Sequence, residues 1–152
     1  MIDSKELRIN NILLFNNQIA VVKGIFSGNV CLDGVLRQTG NPMCPTDYRE
    51  ISVNDPAIQP LPLSDSIIRL FFPAIHDDGR IAYSFGRSGN YWVFPEGGSF
   101  IVGINLAGEI VHITPHHIAC FHELQNAYYL IHDDEVPVDV DSLRMAWNRQ
   151  QQ

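Results

Sequence analysis

The sequence predicts an α+β fold in which a small N-terminal β barrel is followed by an antiparallel four-stranded sheet packed by one long helix. Three observations support this prediction. Short apolar runs separated by turn residues fill most of the chain, one long segment repeats its apolar residues at helical spacing, and a proline-rich stretch divides the chain. With 152 residues, 45% of them apolar and 18% charged, the chain has the composition of an ordinary globular protein.

Residues 1–55 are predicted to form the barrel. Their apolar runs are short and are separated by residues that tolerate positive φ, a pattern typical of β hairpins. A final alternating run at residues 48–53 is expected to close the sheet. This arrangement favours an SH3-like barrel. The turn signals are Asn16-Asn17, Ser27-Gly28-Asn29 and Asp33-Gly34.

Residues 56–63 are predicted to be a connector. Pro56, Pro60 and Pro62 hold the backbone extended and withhold amide donors, which does not suit a central strand.

Residues 64–152 are predicted to form an α+β domain that ends in a C-terminal helix. Ser64 or Asp65 is expected to cap a short helix that ends before Pro73. Four strands should follow as an antiparallel meander. They are predicted at residues 81–85, 91–94, 100–104 and 109–113.

The long helix is predicted to begin at Pro115 and to end near residue 132 or 133. Thr114 can cap its first turn, and proline is well tolerated at the first helical position. Its apolar stripe contains Ile118, Phe121, Leu124, Tyr128 and Ile131. In the final segment Val140, Leu143 and Trp147 keep helical spacing, and Asp141 or Ser142 is the expected start.

Charge and composition disfavour several classes of function. The net charge is -7, and the ten Lys and Arg residues are scattered singly, so no basic surface is expected for nucleic acid or an anionic membrane. No apolar run reaches the roughly 18 residues that span a bilayer. The first six residues lack the pattern of a secretory signal. We therefore expect a cytoplasmic protein without a membrane partner, for which nucleic acid is a weak candidate.

One group of side chains has the residue types of a zinc site. His116, Cys120 and Glu123 are spaced by four and three residues and would share one helical face, with His112 on the preceding strand as a fourth ligand. A second interpretation is that these residues are simply the polar first turn of a helix around a buried thiol. The zinc-protease motif itself fails, because Asn126 stands where the second histidine is needed.

Nucleophilic catalysis would require Cys120 with His116 or His117 beside it, but a packed, inert thiol is the simpler interpretation. The glycine pair Gly97-Gly98 before Ser99 is interpreted as a hairpin turn, since it does not open a helix after a strand as a phosphate-binding loop does.

Aromatic residues indicate a possible partner surface. Tyr91, Trp92 and Trp147 are candidates, because Trp and Tyr are enriched in interface hot spots. The alternative is that half or more of them belong to the core.

Three further motifs are Glu6-Leu7-Arg8-Ile9 with Asn11, Pro60-Leu61-Pro62-Leu63, and His122-Glu123-Leu124-Gln125-Asn126-Ala127-Tyr128-Tyr129. Together they resemble a family of short uncharacterised proteins carried by gut bacterial genomes and their prophages or mobile elements. The resemblance covers most of residues 6–136 and implies an accessory gene without an assigned activity. The chain departs from the family pattern at Asn10, which replaces a glycine, at Phe71-Phe72-Pro73, and after about residue 138.

The functional expectation is a non-catalytic protein-interaction module of phage or mobile-element origin, which binds an unknown protein partner or a second copy of itself. The alternative is a small metal-binding protein or enzyme that uses His112, His116, Cys120 and Glu123, with zinc as the metal. Nucleic-acid binding by the N-terminal barrel is the weaker alternative.

Overall fold

The computed structural model describes residues 2–35, 47–77, 80–86, 90–106, 109–112 and 117–152. The chain divides into two compact units, Met1–Leu61 and Pro62–Gln152. Each unit contains an antiparallel sheet, and the second also contains the main helices, so the α+β class is confirmed. The division between the units falls inside the stretch 56–63 that was predicted to be a connector.

The sheet of the first unit has five strands in the order β4-β3-β2-β1-β5. Among the described residues β4 and β5 are its two edges, so the sheet is open and the predicted closure into a barrel is wrong. The strands are β1 (Ile12–Phe15), β2 (Gln18–Phe26), β3 (Asn29–Val35), β4 (Asp47–Ser52) and β5 (Ile58–Pro60).

The local turn chemistry explains the first hairpin. Asn16 and Asn17 have φ values of 49° and 64°, and Phe15 pairs with Gln18, so the two asparagines form the two-residue turn that was predicted. Asn10 is also left-handed, with a φ of 75°, a conformation that Asn tolerates better than most residues. The predicted turn at Asp33-Gly34 is wrong: both residues lie inside β3, where the pairing with β4 shifts register. A bulge replaces the turn.

One face of this sheet forms the core of the first unit. Its side chains alternate along each strand with those of the opposite face, as the two-residue period requires. The core includes Ile2, Leu7, Leu13, Phe15, Ala20, Val22, Val30, Leu32, Ile51, Val53 and Ile58.

The described residues of the second unit form a sheet in the order β10-β9-β8-β7-β6 and three α-helices. The four predicted strands are present as β7 to β10, and β6 adds a further strand beside β7. The strands are β6 (Ala74–Asp77), β7 (Arg80–Ser84), β8 (Tyr91–Glu96), β9 (Ser99–Leu106) and β10 (Glu109–His112). The helices are α1 (Asp65–Ile68), α2 (Phe121–His132) and α3 (Val140–Gln150).

The predicted start of the long helix is wrong. Residues 117–120 are extended, and Ile118 pairs with Phe100 through two backbone hydrogen bonds of 2.9 and 2.7 Å. Cys120 forms a second bridge, with Pro62. These pairings satisfy backbone groups of the extended segment, so the helix begins only at Phe121. Its end agrees with the prediction, because Asp133 is left-handed with a φ of 53°.

The two other helices begin close to where the sequence indicates. The Ser64 hydroxyl accepts a hydrogen bond from the Ile67 amide at the start of α1, which is a single turn. α3 begins after Asp139, whose carboxylate accepts from the amides of Asp141 and Ser142. The capping residue, Asp139, therefore lies two residues before Asp141, the earlier of the two predicted starts.

Helix α2 packs on one face of the second sheet. Leu124 and Tyr128 lie in the same cluster of buried residues as Tyr83, Val93 and Val102 from the central strands. Spacings of three and four residues along α2 place these side chains on one stripe, as the sequence predicted. Among the described residues, no helix has both the length and the apolar character that crossing a bilayer requires.

Candidate functional site

The described residues of the predicted zinc group do not share one helical face, because α2 begins only at Phe121. That prediction required one helical face from residue 116 to residue 123, but Cys120 is the residue that caps α2, and Glu123 lies in the first turn. His116 and the side chain of His112 lie outside the described residues. Within the described part of the chain, no three His, Cys, Asp or Glu residues lie close enough to hold a metal ion.

His117 contacts a serine that the sequence interpretation had placed only in a turn. The Ser99 hydroxyl lies 2.6 Å from Nδ1 of His117. The same hydroxyl donates to the carbonyl oxygen of Glu96 at 3.1 Å. Ser99 is half-buried and His117 is exposed. The pair therefore brings a hydroxyl and an imidazole into hydrogen-bond contact at the protein surface.

Backbone geometry sets the Ser99–His117 contact. Gly97 and Gly98, with φ values of 59° and 85°, form the two-residue turn between β8 and β9, in which Glu96 pairs with Ser99. Ser99 and His117 each directly precede a residue of the Phe100–Ile118 bridge. In this antiparallel bridge the two residues are diagonal neighbours on one face, so the bridge brings their side chains within reach of each other. Because the two residues are 18 positions apart in the sequence, no short motif contains both of them.

A second feature is a row of apolar side chains at the β10 edge of the sheet. Leu106 is 53% exposed and Val111 is 46% exposed. Leu106 and Val111 lie on the same face of the sheet as Ile104 of β9. Ile104 pairs with Val111 of β10 and with Tyr91 of β8. These four residues, Tyr91, Ile104, Leu106 and Val111, are named here the edge strip. The strip continues the apolar face of the sheet beyond the part that is fully buried.

The three aromatic residues predicted to mark a partner surface do not form one patch. Tyr91 lies in the edge strip, but Trp92 is the next residue of β8 and points to the opposite face of the sheet. Trp147 is only 7% exposed. Burial leaves Trp147 with little area for a partner and agrees better with the alternative that it docks on the protein itself.

The C-terminal end of α2 is enclosed by aromatic rings. Nε2 of His132 donates to the carbonyl oxygen of Phe85 at 2.9 Å. The His132 ring lies 4.5 Å from the Tyr128 ring and 5.3 Å from the Tyr91 ring, measured between centroids. Phe85 and Tyr128 form an edge-to-face pair at 5.2 Å. This cluster anchors the C-terminal end of α2.

A buried tyrosine connects the sheet to α1. The Tyr83 hydroxyl donates to the carboxylate of Asp65 at 2.6 Å. Burial raises the pKa of Tyr83, the hydrogen bond to Asp65 raises it further, and Arg69 acts in the opposite direction. Tyr83 therefore keeps its proton and serves as a donor that positions the short helix.

His122 is the buried titratable residue of α2. It is 3% exposed, and its Nδ1 atom has no hydrogen-bond partner in the structure. Burial lowers the pKa of His122, and the nearby charge of Glu123 opposes this shift. His122 is therefore held neutral, and charging it would place an ion in an apolar site.

No family model matches this chain, and no curated protein or solved structure was found to be similar to it.

Proposed function

We propose that this protein is a cytoplasmic accessory protein of phage or mobile-element origin that acts as a protein-interaction module. Its partner would be an extended segment of another protein that pairs with β10. The observation that supports this proposal is the edge strip, where Leu106 and Val111 are about half exposed beside the edge strand.

Edge strands can bind other chains for a physical reason. Among the described residues β10 is an edge strand of the sheet, and an edge strand presents backbone groups with which a further strand can pair. A segment that adds to such an edge gains affinity from main-chain hydrogen bonds and specificity from alternate side chains. The edge strip would receive those alternate side chains. Because β10 has only four residues, we expect a modest affinity.

Charge favours a different protein over a second copy of the chain. Each chain carries a net charge of -7, so two copies repel each other. Glu109 is exposed on the same face as the edge strip, and Asp133 follows the helix end that contacts Tyr91. A partner segment with alternating apolar residues and at least one Lys or Arg would complement this surface.

Site-specific cross-linking tests the proposal. A benzoylphenylalanine replacing Val111 is expected to cross-link one partner protein in cells of the source organism. The same photoreactive group replacing Phe26, which is 57% exposed in the first unit, serves as the matched control. Adding Leu106→Glu should weaken binding by about fivefold to thirtyfold, or about 1–2 kcal/mol. Equal products at both positions, or none at Val111, would contradict the proposal.

The origin and architecture of the chain are part of the same proposal. Prophage or mobile-element genes on both sides of the gene would support the origin, and a neighbourhood of metabolic genes would oppose it. For the first unit we propose an SH3-like strand order without closure of the barrel, supported by β5 returning to pair with β1 through Leu13–Pro60 and Phe15–Ile58. An experimental structure in which β5 pairs elsewhere would rule this architecture out.

A further inference from the structure

We propose that Ser99 is an acyl-acceptor site that His117 activates toward small activated esters and thioesters. The reaction is a single covalent modification rather than turnover. It is independent of the edge strip and goes beyond the interaction proposed above.

The first support is the contact itself. At 2.6 Å, the Ser99 oxygen and Nδ1 of His117 are at hydrogen-bond distance. The hydroxyl carries one proton and has two acceptors, Nδ1 and the Glu96 carbonyl oxygen. When Nδ1 is unprotonated, the hydroxyl can donate to it, which is the arrangement that increases the nucleophilicity of a serine.

The second support is rigidity. The backbone hydrogen bonds between Phe100 and Ile118, at 2.9 and 2.7 Å, lie one residue beyond Ser99 and His117. Because these bonds hold the backbones that carry the nucleophile and the base, only side-chain rotation has to be ordered before proton transfer, and the entropic barrier is smaller. A serine in a free turn lacks this advantage.

The third support is access. A Cβ atom built at Gly97 or Gly98 would meet no atom within 4 Å, so the space directly beside the turn is open. Because the pair lies at the surface, the donor must carry its own activation, in the form of a good leaving group. This requirement selects aryl esters and thioesters over amides.

The Ser99 oxygen attacks the acyl carbon, its proton moves to Nδ1 of His117, and the bond to the leaving group breaks. The leaving group departs with the electron pair and takes up a proton, from His117 or from water. The product is an ester on Ser99 and a free thiol or phenol.

The experiment uses p-nitrophenyl acetate on the full chain, with peptide mapping by mass spectrometry over time. We expect one fast acetylation on Ser99 that Ser99→Ala abolishes. His117→Gln should slow it by about tenfold to a hundredfold, toward the lower end of the range for general-base catalysis. Ser27→Ala is the control, since Ser27 is an exposed serine in the β2–β3 turn.

Wild-type protein alone gives a second measurement that does not depend on the folding of any variant. Acetylation of Ser99 and of Ser27 is compared within the same digest, and Ser99 is expected to react at least about tenfold faster. Equal rates at the two serines would overturn the proposal. Acetylation confined to lysines, or a His117→Gln variant that keeps its melting temperature and reacts at the wild-type rate, would overturn it as well.

Discussion

The two ends of α2 are held in different ways. At the C-terminal end, His132 donates to Phe85 at 2.9 Å, and the Asp133 amide donates to the Tyr129 carbonyl oxygen at 2.8 Å. At the N-terminal end, Cys120 makes no side-chain capping hydrogen bond, and backbone bridges position the chain. Side-chain packing thus fixes one end, whereas strand pairing fixes the other. Mutations at the C-terminal end should therefore act through packing, and a mutation that adds a cap at the N-terminal end should have a small effect because strand pairing already holds that end.

The largest effect is expected from Gly86→Ala at the packed end. Gly86 has a φ of 112°, and a Cβ at this position would overlap the His132 ring at Nε2 and Cε1. Backbone strain and displacement of His132 should together lower the free energy of unfolding by about 2–5 kcal/mol. Denaturant titration measures the loss.

Gly97→Ala is the matched control for that experiment. Gly97 also has a positive φ, of 59°, but a Cβ there would meet no atom within 4 Å. Strain alone should then lower stability by about 1 kcal/mol. Equal losses in both variants would show that the His132 contact does not hold the helix end.

A pH-dependent effect of intermediate size is expected from His122, near the N-terminal end. Burial lowers its pKa in the folded protein below the ordinary value of 6.5. As the pH falls, His122 is protonated in the unfolded chain before it is protonated in the folded protein. The free energy of unfolding is therefore highest above about pH 6.5 and decreases as the pH falls below that value. The loss can reach about 1.4 kcal/mol per pH unit until the folded-state pKa is reached.

His122→Leu isolates this contribution, because leucine is neutral at every pH. Thermal melting of both proteins between pH 7 and pH 5 should give a flatter profile for the variant. The five other histidines are common to both proteins, so they cancel in the difference. Parallel profiles would mean that His122 can gain a proton without leaving its site.

The smallest effect is expected at the cap of α2. Serine accepts hydrogen bonds from first-turn amides better than cysteine, so Cys120→Ser should raise stability. Because the cysteine makes no capping bond, Cys120→Ala is the appropriate reference. The serine variant is expected to exceed the alanine variant by about 0.5–1 kcal/mol in denaturant titration. A difference near zero would show that the bridges at Ile118 and Cys120 already determine where the helix begins.

Much of the fold was predictable from short stretches of sequence. Asn16-Asn17 forms the predicted turn, Ser64 caps α1, and α2 ends at the predicted residue. In each case the signal and the structure lie within a few residues, so local chemistry decides the outcome. The same is true of the apolar stripe of α2 from Phe121 onward.

The errors at residues 33–34 and at the start of α2 have one common cause, which is pairing between distant residues. Thr114 and Pro115 have the pattern of a helix start, yet Phe100 binds Ile118 in an extended conformation. Asp33-Gly34 has the pattern of a turn, yet β4 pairs across it and converts it into a bulge. Local preference is worth a few tenths to about 1 kcal/mol per residue, so a pair of backbone hydrogen bonds can outweigh it.

The same distinction between local signals and distant pairing applies to the candidate sites. The sequence by itself determined the α+β class, the acidic surface charge and most element positions, because these follow from composition and from spacing within a segment. Only the tertiary structure decided that His117 meets Ser99, that Tyr91 and Trp92 face opposite sides, and that Trp147 is buried. A functional site requires side chains from separate strands to converge, and that convergence depends on strand register, which no short stretch of sequence encodes.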